Sequence, residues 1–227
     1  IRVSMSAVDE AGARMNFEEE LSELSFEQVR SLGMEKWEQQ LGRIEVEGSE
    51  SMRTNFYTAL YHSSIVPNLF TDVDGRYRGT DLEIHKTEDH NQYTIFSLWD
   101  TYRTAHPLYT LINADENEDF IKSMLTHYKD GGKLPVWELS ANYTGCMIGY
   151  HTVSVIADAF LKGQDDFDAD LALEAMLHIS KLDELGKVAY AEQGFIPAHL
   201  EHESVSKTLE YAYNDWCIAQ MAFKMGK

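Results

Sequence analysis

The chain has 227 residues, 44% hydrophobic, 11% aromatic and 25% charged, with only 4 prolines, a composition that supports one sizeable folded domain or one and a fraction. Its 38 acidic against 19 basic residues give a formal net charge of −19, which excludes a face built to grip a nucleic-acid backbone and suits a neutral substrate, a cation or simply an acidic solvated surface. No apolar run approaches the roughly 20 residues needed to cross a bilayer, so no membrane-spanning segment is expected, and Ile1 to Val8 lack the basic region and apolar core of a signal peptide.

In chain order, Ile1-Arg-Val-Ser-Met-Ser-Ala-Val8 alternates apolar and polar residues, the pattern of a strand with one buried face. No matching strand follows nearby, so this segment is expected to close a sheet domain whose remainder is absent. From Asn16 to Ile44 the apolar residues Leu21, Leu24, Val29, Leu32, Trp37 and Leu41 fall at roughly helical spacing, with Gly33 as the expected break between two linker helices. Met52 to Ile65 reads as a helix ended before Pro67. Asp74-Gly75 signals a hairpin turn between Leu69–Thr71 and Arg76–Arg78, and Tyr93–Phe96 a short strand. Helices are predicted at about Trp99–Ile112, Glu118–Tyr128, Tyr150–Leu161, Asp168–Ser180 and Ser204–Lys224. Helices in series with long irregular loops between them suggest an (α/α) toroid, of which this chain supplies about half the usual twelve. Cys146 and Cys217 each sit in an apolar stretch, which favours two buried thiols over a disulfide.

Three constellations carry chemistry. In Phe96-Ser-Leu-Trp-Asp-Thr-Tyr-Arg103 the residues Trp99, Asp100 and Arg103 gather at a helix start. A Trp face packs against the apolar face of a pyranose while Asp and Arg take paired hydroxyls; the competing reading is a capping Asp and a core Trp. In the second, Trp137 and Glu138 precede the polar turn Ser140–Thr144 and an apolar helix, so Glu138 is either a hydroxyl ligand, even a general acid, or an ordinary solvent-facing loop residue. His151, on that apolar helix, reads as a satisfied core histidine. The third is Glu201 to Trp216, where Leu209, Ala212, Trp216 and Ala219 form a stripe read as core packing, leaving His202 and Glu203 in the preceding loop as the contact candidates. Asp72-Val-Asp-Gly75 lacks the further ligands of a calcium-binding EF-hand loop and reads as a turn.

Phe56-Tyr-Thr-Ala-Leu-Tyr-His62, Asp72-Val-Asp-Gly-Arg-Tyr-Arg-Gly79, Phe96 to Arg103, Cys146-Met-Ile-Gly-Tyr-His151 and Ser204 to Trp216, in this order, resemble family-92 glycoside hydrolases, the exo-acting α-mannosidases. The resemblance implies a mainly α chain: residues 1–15 as the last strand of an absent β-sandwich domain, 16–50 as a helical linker, and 51–227 as the first half of an (α/α)6 catalytic domain. It further implies hydrolysis of terminal α-linked mannose, of the α-1,2 type, from N-glycan or mannan, with inversion and with Ca2+ on the terminal sugar. Inversion requires an acid and a base carboxyl about 6.5–9.5 Å apart. That pair and the calcium ligands are expected after Lys227, so no catalytic or metal-binding residue is assigned. Trp99, Asp100, Arg103, Trp137, Glu138, His202 and Glu203 are the expected substrate contacts. An inactive, self-associating fragment of a secreted or periplasmic enzyme acting on mannose-containing glycans is the resulting expectation. The competing readings are a complete small toroid glycosidase using Asp100 and Glu138, and a non-catalytic carbohydrate-binding or scaffold module.

Overall fold

A computed structural model describes residues 1–227. Residues 1–9 form no regular secondary structure and pair with no strand of this chain, in place of the expected strand, and Ile1, Val3 and Met5 stand exposed. The helices α1 (Glu10–Glu20) and α2 (Phe26–Leu41) follow. Their boundary falls at Leu21–Ser25 rather than at Gly33. Ser25 and Gln28 form a reciprocal capping box that starts α2, and the helix runs through Gly33, whose missing side chain faces open space. A glycine on an exposed helix face costs only about 1 kcal/mol, too little to stop a capped helix.

Helix α3 (Glu50–Ser63), capped by Ser49, leads into a region of short strands: β1 (Asn68–Leu69), β2 (Arg76–Arg78), β3 (Ile84–Lys86), β4 (Tyr93–Thr94) and β5 (Phe96–Ser97). The Asp74-Gly75 turn is present, with Gly75 at φ +83°, but it does not join the two predicted strands into a hairpin ladder. Instead β1 pairs with β4 and β2 with β3, both antiparallel. Asp72 explains the difference. Its buried carboxylate accepts from Ser6 Oγ at 2.6 Å and Asn16 Nδ2 at 2.7 Å, which ties the turn to the first helix. Gly12 permits that approach, since a Cβ there would come within 2.2 Å of Asp72 Oδ2.

The predicted helix Trp99–Ile112 is two helices, α4 (Leu98–Thr101) and α5 (Ala105–Ile112). Pro107 supplies the reason: it is tolerated only in a first turn, so the second helix has to begin immediately before it. Then come α6 (Ala114–Gly131), the hairpin β6 (Trp137–Leu139) and β7 (Asn142–Tyr143), α7 (Thr152–Leu161), α8 (Ala169–Lys181), α9 (Lys187–Gln193) and α10 (Ser204–Lys224). Strands β5, β6 and β7 form one three-stranded sheet. The chain is mainly helical and matches part of a helical toroid.

One apolar core joins α5, α6, α7, α8 and α10. Helix α7 is its centre, with Val153, Ile156 and Ala159 fully buried, as its predominantly apolar sequence favours. Helix α10 packs on it through Tyr211, Asn214, Cys217, Ile218 and Met221. The stripe expected to be core is the opposite one: Leu209 is 68% and Trp216 56% exposed. Both cysteines are free, as expected, but only Cys217 is buried and Cys146 is exposed. Cys146 lies in the irregular segment before α7, where no helix holds its apolar neighbours inward.

Candidate functional site

Strand β5 runs directly into α4, which puts Trp99, Asp100 and Arg103 at the end of the small sheet. Ser97 pairs with Trp137 across β5 and β6, and its hydroxyl donates to Asp100 Oδ2 at 2.6 Å. Trp99, Asp100, Arg103 and Trp137 are therefore assembled at one edge of the fold. Asp100 is exposed and Trp99 and Trp137 are half-buried, so the edge has the mixed wetness a sugar-binding wall needs.

Glu138 is directed elsewhere. Adjacent strand residues point to opposite faces, so Trp137 and Glu138 cannot line the same surface. Glu138 is 1% exposed, and its carboxylate accepts from Thr94 Oγ1 at 2.8 and 3.0 Å, Ile95 N–H at 2.9 Å and Ala141 N–H at 2.6 Å. Burial pushes its pKa up against the pull of these bonds. Ile95 and Ala141, which donate to Glu138, and Ser140, which donates to Thr94, have positive φ, a conformation non-glycine residues avoid. Neither the solvent-facing loop nor the free hydroxyl ligand describes it: Glu138 anchors the backbone beneath the site.

His202 and Glu203 lie at the surface just before α10. Glu203 takes the cap position at φ +55° without a side-chain capping bond, and its carboxylate enters no ion pair. They immediately precede the helix that carries a residue sequence reasoning passed over. Glu210, two turns inside α10, accepts from Trp99 Nε1 at 3.2 Å and lies 3.6 Å from Arg103 Nη2. His151 Nε2 is 2.7 Å from its other oxygen, in close contact though poorly directed for a hydrogen bond.

His151 is itself fixed from behind. Asn214 Oδ1 accepts the backbone N–H of Tyr150 at 2.9 Å, so Asn214 Nδ2 must face His151 Nδ1, 3.0 Å away. Nδ1 is thus the acceptor, and the neutral ring carries its proton on Nε2, toward Glu210. Burial holds the imidazole well below the ordinary histidine value, opposed by Glu210. The Tyr102 ring stacks on His151 at 3.8 Å with 2° between planes, and Arg103 lies over both Trp99 and Tyr102, 5.0 and 4.8 Å from their centroids. His151 was legible as a core histidine, but its link to Glu210 was not, because no local pattern joins residues 59 positions apart.

A surface concavity of about 690 Å³ lies between α2 and α3 and is lined by residues such as Glu38, Arg53 and Tyr57, none of them part of this cluster. It is the open cleft between α2 and α3. Calcium finds no site among the carboxylates present. Asp72, Glu138 and Glu210 are each occupied by protein donors, Asp74 is paired with Arg76, and nowhere do three Asp, Glu, His or Cys side chains converge as metal ligands.

Comparison with known proteins gives a consistent result. The family model described as the glycosyl hydrolase family 92 catalytic domain matches residues 12–227. The structure of the family GH92 α-mannosidase BT3965 from Bacteroides thetaiotaomicron superposes with a TM-score of 0.95 at 45% identity, covering 97% of this chain and 30% of that one. The same enzyme is known in complex with mannoimidazole. The family GH92 inverting mannosidase BT2199 from the same organism matches with a TM-score of 0.91 at 35% identity, over 98% of this chain and 32% of its own. An uncharacterized secreted glycosidase of Arthroderma benhamiae is 27% identical over 248 residues, all of this chain and 28% of the relative. The chain thus spans about 30% of the length of the proteins it matches. It belongs to glycosyl hydrolase family 92.

Proposed function

We propose that the intact protein containing this chain is a calcium-dependent, inverting exo-α-mannosidase that removes terminal α-linked mannose, of the α-1,2 type, from N-glycan or mannan chains outside the cytoplasm. The observation that carries this reading is the 0.95 superposition at 45% identity on an α-mannosidase that binds mannoimidazole. Inversion is supported by the inverting relative, and an extracytoplasmic location by the secreted one; no helix here is long and apolar enough to cross a membrane. Within it, residues 1–15 close a preceding β-sandwich, 16–50 link, and 51–227 supply about half of the barrel.

In this reading the chain contributes one wall of the sugar site. Trp99 offers an aromatic face, Asp100 and Arg103 take sugar hydroxyls, Trp137 extends the wall along the sheet edge, and His202 with Glu203 meets the next sugar. Glu138 supports the wall from beneath. Neither Glu138 nor Glu210 suits a proton-transfer role, because each is engaged by several protein donors. The acid, the base and the calcium ligands come from other segments, and the 227-residue chain by itself is inactive.

The test is mannose release from α-linked mannobiosides by the intact protein, with and without chelator, and with the anomer of the first-formed product read by NMR. Release of β-mannose that chelation abolishes supports the reading; retention, or cleavage by the isolated chain, overturns it. A saturable mannose affinity without turnover in the intact protein would favour a binding module instead.

A further inference from the structure

We propose that Glu210 is the positioning residue of this wall: its carboxylate sets the orientation of Trp99 and Arg103, and the Asn214–His151 pair holds that carboxylate in place. The inference rests on the reading of Trp99, Asp100 and Arg103 as mannose contacts. One oxygen of Glu210 serves both groups, taking the Trp99 indole N–H at 3.2 Å and drawing the Arg103 guanidinium to 3.6 Å. The indole has a single N–H donor, and this bond turns that edge of the ring toward Glu210. Arg103 is simultaneously held over the Trp99 and Tyr102 rings, so the carboxylate and the ring faces fix the guanidinium together.

The second oxygen faces His151 Nε2 at 2.7 Å. Because the Tyr150 backbone N–H dictates the orientation of Asn214, and Asn214 dictates the tautomer of His151, the ring presents a proton to Glu210 rather than a lone pair. The sequence of contacts runs from a buried main-chain donor to the sugar-facing indole. The Tyr150–Asn214 and Asn214–His151 links are hydrogen bonds, the His151–Glu210 link is a close polar contact, and Asn214 and His151 have no exposed surface. A wall residue mounted this way loses little freedom when the sugar arrives.

Mannose affinity of the intact protein, by calorimetry, for Glu210→Met, Trp99→Phe and the double variant tests this. Met keeps the length of Glu without its oxygens, and Phe keeps an aromatic face without the N–H. Each single variant is expected to bind about 10- to 100-fold more weakly, the cost of misplaced contact groups. The double variant is expected to be no worse than Glu210→Met within about threefold, since both changes remove one coupling. Wild-type affinity in Glu210→Met, or losses that multiply in the double variant, overturns the inference. Should Glu210→Met not fold, Trp99→Phe decides alone: undiminished binding refutes a role for the bond. Asp100→Ala separates the two readings. If it abolishes binding while Glu210→Met does not, only the positioning role fails; if it too is without effect, the sugar-wall reading fails.

Discussion

Thr94 and Glu138 bind each other across the strands beneath the site: the Thr94 hydroxyl donates to both carboxylate oxygens, at 2.8 and 3.0 Å, and its oxygen accepts the Ser140 N–H at 2.7 Å. The pair holds Ile95, Ser140 and Ala141 with positive φ, and Ile95 immediately precedes the strand that delivers Trp99 and Asp100. Glu138→Ala strands two buried N–H groups and a hydroxyl, and is expected to cost about 3 kcal/mol or more. Glu138→Gln, which retains one acceptor, should cost less. Urea unfolding checks the order; an Ala variant as stable as Gln would show that the anchor contributes nothing.

Acid destabilisation follows from two histidines. Burial holds both His106 and His127 down to about 4. In the unfolded chain each binds a proton near pH 6.5, so between pH 6.5 and 4 the unfolded state holds more protons than the folded one. Stability is therefore full above pH 6.5 and falls as pH drops toward 4, with a slope approaching about 1.4 kcal/mol per pH unit for each histidine. Denaturation midpoints that stay constant from pH 7 to 5 would contradict this.

The two thiols should react separately. Cys146 is exposed, while Cys217 is buried with its thiol pushed up by desolvation. A disulfide reagent is expected to titrate one thiol rapidly in the native protein and the second only after unfolding. Two fast equivalents would mean that α10 does not stay packed on α7.

Exposed on α10 are Val205, Leu209, Trp216 and Phe223, from 56% to 83% accessible. Apolar surface of this kind drives association, so the isolated 227-residue chain is expected to self-associate. Sedimentation velocity should show species larger than monomer that Leu209→Lys with Phe223→Lys shifts back. A clean monomer at tens of micromolar would exclude it.

Much of the helical framework was legible because its determinants are local. Asp168 accepts from Leu171 N–H as a first-turn cap, and Ser49 does the same for Met52. Period alone found α6, α7, α8 and α10. It could not choose the face of α10, because Leu209 and Trp216 on one side and Ile218 and Met221 on the other are equally apolar. The choice belongs to α7 and its cap, which offer Asn214 the buried His151 and bury Met221 in the core.

The site divides in the same way. The sequence by itself determined that Trp99, Asp100 and Arg103 lie together at a helix start, since residues within four positions of one another cannot be far apart in space. Only tertiary structure decided that Glu138 turns inward while Trp137 stays at the edge, and that Glu210 meets Trp99 across 111 positions. Helical period, caps and turns are short-range properties of the chain. The partner of a buried carboxylate is set by which elements pack against it, and a string of residues does not carry that information locally.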